Sequence, residues 1–282
     1  MQLNDSFMER FRAAESRANA GDFVGADEIC TRLRDENPLD EGLLEMQYAI
    51  HCLLSEQRFP GPDYFAWLAW FHSRLKPRTY MEIGVASGES LQFAAPPTLA
   101  VGIDPAMKIT FPQQTWIKLF KLESDAFFAQ QQPKEVFGGD IDLAFIDGLH
   151  TYDQTLRDFI NVERHAHSNT VILIHDILPF NAISASRERR SVLWLGDTWK
   201  IMILLRKYRP DLNIFTIPTY PSGLAVVTGL DPASVALHEQ FDALCREADG
   251  YEFDAHYPGM AQHANVTAND FSDVARLLGS TA

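Results

Sequence analysis

Tyr80-Met81-Glu82-Ile83-Gly84-Val85-Ala86-Ser87-Gly88-Glu89-Ser90 is the stretch whose reading decides the fold. A short apolar run passes into a glycine-bounded turn, the arrangement by which a buried strand hands over to a helix where backbone must approach a ligand. From here short apolar runs alternate with helical stretches: Tyr80 to Val85, Leu99 to Asp104, Trp116 to Leu122, Ile141 to Asp147 and Thr170 to Asp176. That rhythm predicts a parallel sheet with crossover helices. Two later runs, Asn213 to Thr219 and Gly223 to Gly229, are separated only by Tyr220-Pro221-Ser222. The link is too short for a parallel crossover, so an antiparallel hairpin is expected. The result is an α/β, doubly wound sheet of seven strands with an antiparallel last strand.

Upstream, residues 5 to 55 repeat a helical period, with Phe7, Phe11, Ala14 and Ala18 on one face, then Ile29, Cys30 and Leu33, then Leu43, Met46, Ile50 and Leu54. Three short helices are expected, and Ala20 to Asp27 followed by Asn37-Pro38 is similar to one tetratricopeptide-type hairpin. Phe59-Pro60-Gly61-Pro62 breaks the pattern, so the expected division is a helical domain over 1–58 and a larger domain over 59–282. Asp63 can cap a helix whose Tyr64, Trp67, Leu68, Phe71 and Leu75 share a side; this stripe reads as core, with no catalytic role. Downstream, residues 179 to 197 interrupt the rhythm before a helix around Trp199 to Tyr208 and read as a lid on the acceptor side. Their basic cluster, Arg187-Glu188-Arg189-Arg190, can attract an anion or simply solvate a loop.

A formal net charge of -14 opposes the phosphate backbone, so nucleic acid is not an expected partner. Cys30, Cys52 and Cys245 have neither disulfide nor zinc spacing, which suits a reducing cytoplasm. The opening Met1-Gln2-Leu3-Asn4-Asp5 carries no leader pattern and no apolar run is long enough to span a bilayer. A cytoplasmic protein without a membrane partner is expected, and any self-association is expected through the helical domain.

Ligand chemistry belongs at the strand ends. Asp104 closes the second strand, where a carboxylate can accept both hydroxyl hydrogens of a ribose. The turn lacks the G-x-G-x-x-G of nicotinamide-binding domains. It is similar instead to the E-x-G-x-G-x-G pattern of class I S-adenosylmethionine-dependent methyltransferases, with Ala86 replacing the middle glycine, and the resemblance spans about residues 63 to 230. It implies that Glu82 orients the loop, that backbone around Gly84, Ala86, Ser87 and Gly88 meets the methionine portion, and that Asp104 binds the ribose. It places Ser124 and Asp125 beside the adenine and adds Asp147 to the cofactor-binding set. Glu89 and Ser90 read equally as helix-capping residues, and Asp104 and Asp125 as ordinary turn residues.

The fourth strand closes as Ile146-Asp147-Gly148-Leu149-His150 and the fifth as Ile174-His175-Asp176. If the strands are adjacent, two carboxylates emerge together near an imidazole, a set able to hold a hard divalent cation and deprotonate a hydroxyl. This D-G-x-H followed by H-D resembles the metal-dependent sugar and natural-product O-methyltransferases, of the methyltransferase-24 type. The resemblance implies Asp147 and Asp176 as metal ligands, His150 as general base, S-adenosylmethionine and magnesium as cofactors, and a small molecule or saccharide as acceptor. The third protein ligand is not legible, and His175 should point to the opposite face of the sheet if the strand continues. Both aspartates can also be helix caps. A methyltransferase without metal, a catalytically silent binding protein and a nicotinamide oxidoreductase are the competing functions.

Overall fold

The structure is a computed structural model that describes residues 5–259 and 264–279. Met1 to Asn4, where no leader is expected, lie outside the described residues. Helices α1 (Asp5–Asn19), α2 (Phe23–Glu36) and α3 (Glu41–Arg58) precede α4 (Tyr64–Leu75). Aspartates open three of them: Asp22 accepts from the Gly25 amide at 3.0 Å, Asp40 from Leu43 at 2.9 Å, and Asp63 from Ala66 at 2.8 Å. Each carboxylate satisfies an amide that has no partner within its helix and lies at the positive end of the helix dipole. Phe7, Ala14, Cys30, Leu33, Leu43 and Ile50 form an apolar cluster private to α1–α3. These helices run to 15, 14 and 18 residues, longer than the short helices expected.

Strands β1 (Thr79–Ile83), β2 (Leu99–Ile103), β3 (Trp116–Phe120), β4 (Ile141–Ile146), β5 (Ala166–His175), β6 (Asn213–Ile217) and β7 (Leu224–Thr228) form one sheet in the order β3-β2-β1-β4-β5-β7-β6. The first five are parallel, and β7 runs antiparallel to both β5 and β6. This is the expected Rossmann-like sheet with its terminal hairpin. The chain leaves β1 toward β2 and later returns to β4 on the other side, so a crevice opens at the carboxyl ends of β1 and β4.

The crossovers differ from expectation. Only a 3-10 turn, Leu91–Phe93, follows the glycine turn, and residues 104–115 between β2 and β3 contain no helix. Gly88 and Ser90 disfavour helix, and Pro96-Pro97 ends the segment before a second turn can form. Helices do cover the later crossovers: α5 (Ser124–Gln130) and α6 (Pro133–Phe137) after β3, α7 (Tyr152–Glu163) after β4, and α8 (Lys200–Tyr208) after β5.

Leu156 and Phe159 of α7 and Met202 and Leu205 of α8 pack on one face of the sheet against Ala144, Ile146 and Ile174. Trp67, Leu68 and Phe71 of α4, with Val274 of α9 (Phe271–Gly279), cover the other face against Tyr80, Phe145 and Leu173. Strands covered on both faces read as continuous apolar runs, which is why β1 and β4 do. Glu82, fully buried within β1, and Asp142, half-buried near the start of β4, are the charged exceptions. Among the described residues no helix is long and apolar enough to cross a membrane.

Candidate functional site

A cavity of about 680 Å³ occupies the crevice, running from Asp104, Ser124 and Asp125 at one end to Asp147, Gly148 and His150 at the other. Its floor is the glycine turn. Gly84 has φ +90°, and a Cβ there would lie 2.0 Å from the Asp147 carbonyl oxygen, so this position admits only glycine. The turn after β1 and the turn after β4 are thereby pressed together. Ala86 has φ +46°, a left-handed conformation that costs a residue with a Cβ about 1 kcal/mol, and its methyl group is exposed.

Asp104 holds the turn in shape. One of its oxygens accepts from the amides of Val85 at 3.1 Å and Ala86 at 2.9 Å, and the other from Ala106 at 2.6 Å. Behind the turn, Ser90 and Tyr80 donate to the two oxygens of Glu82 at 2.6 and 2.7 Å. Ser90 therefore ties the turn to Glu82; it precedes the 3-10 turn, but its side chain makes no capping hydrogen bond there. Burial pushes Glu82 up to about 8: the donors from Ser90 and Tyr80 offset this only in part, and the charges of Asp147 and Asp104 add to it.

At the far end, Gln154 of α7 donates to Ser124 Oγ, Asp125 Oδ1 and Asp158 Oδ1, each at 3.1 Å. Asp158 is buried beneath them and is pushed up to about 7 by that burial. Gln154 lines the cavity, yet it was not legible as a site residue, because only the packing of α7 on β4 turns that position toward α5.

The opposite end collects four ionisable side chains. His175 Nδ1 lies 3.2 Å from Asp147 Oδ1 and 3.5 Å from Asp176 Oδ1. His150 Nδ1 lies 3.0 Å from Asp176 Oδ2, and its Nε2 lies 3.5 Å from Asp147 Oδ1. The expected juxtaposition of Asp147, His150 and Asp176 is therefore present. The expectation that His175 turns away is corrected: β5 ends at His175, Asp176 takes φ +61°, and this left-handed step cancels the alternation that would have separated the two side chains.

Burial opposes charge throughout this cluster, and the outcome is set by its internal pairs. His175 and His150 hold Asp147 far below the ordinary carboxylate range despite its burial. Burial lowers the pKa of His150, but Asp176 and Asp147 outweigh it and raise the imidazole to about 10. His175 is raised by the same two carboxylates, while burial leaves Asp176 above its usual value. Asp176 Oδ2, though 3.0 Å from His150 Nδ1, makes no hydrogen bond, because Nδ1 is directed at the Trp194 carbonyl oxygen at 2.9 Å.

Three further residues shape this end. Ser222 donates to Asp176 Oδ1 at 2.6 Å and lies 3.2 Å from His175 Nε2. Tyr64, read from sequence as core, stacks on His175 with ring centroids 4.3 Å apart and lines the cavity. Trp194 stacks on His150 at 5.3 Å. The signal for Ser222 was present in the hairpin link, but only the insertion of β7 beside β5 brings that link to the end of β5.

Residues 81–177 match the sequence model of a family described as a methyltransferase domain. No curated protein matches the chain. Among solved structures the chain is similar to an O-methyltransferase from Bacillus cereus in complex with SAH, at 13% identity and TM-score 0.44, covering 72% of this chain and 97% of that one. It is similar to an SAH-bound methyltransferase from Podospora anserina at 17% identity and TM-score 0.40, covering 65% and 87%. It is also similar to an O-methyltransferase from Streptomyces achromogenes involved in tomaymycin synthesis, in complex with SAM, at 11% identity and TM-score 0.44, covering 65% and 89%.

Proposed function

We propose that this chain, whose residues 81–177 match a methyltransferase-domain family, is a class I S-adenosylmethionine-dependent methyltransferase that methylates a hydroxyl of a small molecule or sugar with the help of a divalent cation such as magnesium. The observation that carries this reading is the continuity of the cavity between the Asp104–Asp125 end and the Asp147–His150 end. A methyl donor lying along it would bring its reactive carbon to the ionisable cluster, and positioning contributes much of the rate of an in-line transfer.

The cluster fits a hard cation. Asp147, His175 and Asp176 offer ligand atoms that all lie within 4.8 Å of one another, and Asp176 Oδ2 is a buried carboxylate oxygen without a hydrogen bond. Two carboxylates with one imidazole suit magnesium or manganese. His175 is thus the third protein ligand of this reading. When bound, S-adenosylmethionine supplies the activated methyl group and the cation lowers the pKa of the acceptor hydroxyl.

The protein's own part centres on His150. Its Nδ1–H donates to the Trp194 carbonyl, which leaves Nε2 as the atom that can take a proton. At a pKa of about 10 that nitrogen is already protonated at neutral pH, held so by Asp176 and Asp147. These carboxylates are the groups whose charge a cation would share, so loading the site and freeing His150 to act as base are one event. The net charge of -14 disfavours a nucleic-acid acceptor, and a cytoplasmic setting accords with the three unpaired cysteines.

Calorimetric titration with S-adenosylmethionine, in magnesium and again in a chelator, with NAD as control, tests the class. Saturable binding of the sulfonium compound supports it; binding of NAD alone overturns it. Within the class, His150→Ala should retain cofactor binding and lose turnover. Equal loss of both would reject its role as base.

A further inference from the structure

We infer that the α1–α3 unit is the anchor of the loop that walls the acceptor side of the site, and that Asn181, Asp27 and His51 are positioning residues acting on His150 through that loop. The inference rests on the methyltransferase reading only for the meaning of the site; the contacts stand without it.

The loop between β5 and α8 has no helix or strand of its own. At its far end it forms the wall beside His150: Trp194 stacks on the imidazole and accepts from its Nδ1 at 2.9 Å. Gly196 lies directly on the His150 backbone, and Asp197 accepts from the Tyr152 amide at 3.1 Å, closing the first turn of α7. Arg187 donates to Asp153 of α7 at 2.9 Å and pairs with Asp197 at 3.5 Å, but neither contact explains what holds the start of the loop, residues 180–183.

The helical unit does. Asn181 Nδ2 donates to Asp27 Oδ2 at 2.7 Å and lies 3.3 Å from His51 Nε2. Phe180 sets its ring edge-on to His51 at 5.0 Å, and its carbonyl accepts from Arg58 at 3.2 Å. Arg34 donates to the carbonyl of Arg190, whose guanidinium pairs with Asp35 at 3.1 Å. A second attachment reaches the turn that carries Ser222: Ser55 donates to the Pro221 carbonyl. Both segments flanking the ionisable cluster are thus held by α2 and α3.

Asp27 shows that this is a built contact. It is 8% exposed and sits beside His51, which is fully buried, and a buried carboxylate is tolerated only where donors surround it. Gln47 and His51 donate to Oδ1 from within the helices, at 3.0 and 2.7 Å, whereas Asn181 is the donor to Oδ2. Among the described residues, the helical unit therefore keeps a charged group that the loop between β5 and α8 completes. Asn181 in turn orders the loop itself, accepting from the Ser184 amide at 2.8 Å, while Ser184 Oγ donates to the Asn181 carbonyl at 2.9 Å. From Ser184 the order passes on, because its carbonyl accepts from the Leu195 amide at 3.0 Å, next to Trp194.

The test uses the full chain and needs no acceptor. In Asn181→Ala, amides of residues 183–197 should exchange with deuterium about tenfold faster or more, the effect of removing a hydrogen bond to a charged group, while β1, β4 and β5 stay protected. In protein labelled with nitrogen-15 at histidine, the His150 ring resonances, identified by their loss in His150→Ala, should shift, whereas those of His175, held by Ser222 and Asp147, should not. Asp27→Asn should produce the same pattern. Unchanged exchange over 183–197, a general rise across the sheet, or ring shifts in both histidines or in neither would overturn the inference. Titration of the unaltered protein with S-adenosylmethionine, run in parallel, separates a failure here from a failure of the methyltransferase reading.

Discussion

Gly196 and His150 touch backbone to backbone: with φ +64° at the glycine, a Cβ there would stand 1.6 Å from the carbonyl oxygen of His150. The loop between β5 and α8 can lie against His150 only because this one residue has no side chain. Gly196→Ala must therefore push the loop off His150. It should destabilise the protein by about 2–4 kcal/mol, lowering the thermal midpoint by several degrees, and misplace Trp194. Calorimetric melting together with exchange over residues 183–197 checks this; an unchanged midpoint would mean the two loops are not in contact in solution.

The glycine turn carries a paired prediction. Ala86 occupies a left-handed conformation with its methyl group exposed, so Ala86→Gly should stabilise the protein by about 1 kcal/mol. Gly84→Ala should do the reverse and weaken S-adenosylmethionine binding at least about tenfold, because the added Cβ would meet the Asp147 carbonyl. Urea unfolding reads the first and calorimetric titration the second. Opposite signs in either experiment would show that the turn has a different shape.

The buried acid under Gln154 predicts a pH dependence of stability. Asp158 is pushed up to about 7 by burial, above the ordinary value of 3.8 that it regains on unfolding. Between these values the folded protein binds more protons than the unfolded chain, so this group's contribution falls as pH rises from about 4 to 7 and stays low above that. Asp158→Asn keeps the acceptor for Gln154 without the ionisation. The variant should match the parent near pH 4 and exceed it by roughly 4 kcal/mol near pH 8. A stability gain independent of pH would contradict the assignment.

Cation binding should be coupled to proton release. His150 is raised to about 10 by Asp176 and Asp147, so a cation that occupies those carboxylates must displace its proton. Magnesium or manganese affinity should rise with pH up to about 10, and the binding heat should depend on the ionisation enthalpy of the buffer. Asp176→Asn should lower affinity at least about tenfold. Heats identical across buffers would place the ion away from His150.

Much of this fold is legible in the sequence alone. Alternating apolar runs and the three-residue link Tyr220-Pro221-Ser222 were enough for the seven-stranded sheet and its hairpin, because period and connection length are local properties. The meeting of Asp147 and Asp176 was legible for the same reason: parallel neighbours deliver their terminal residues to one edge. The missing helix after the glycine turn was misread, since the turn signature is silent about how far a helix continues beyond it.

What the sequence by itself determined is the strand set with its terminal hairpin, the strand-end chemistry and the Asp63 cap of α4, all governed by residues within a few positions of one another. Only the tertiary structure decided which side chains meet across elements. His175 joins the cluster because one left-handed residue breaks the alternation, Ser222 because β7 inserts beside β5, and Asn181 because α2 and α3 present Asp27 and His51 to a loop more than a hundred residues away. Such contacts depend on packing between distant segments, and no local pattern encodes them.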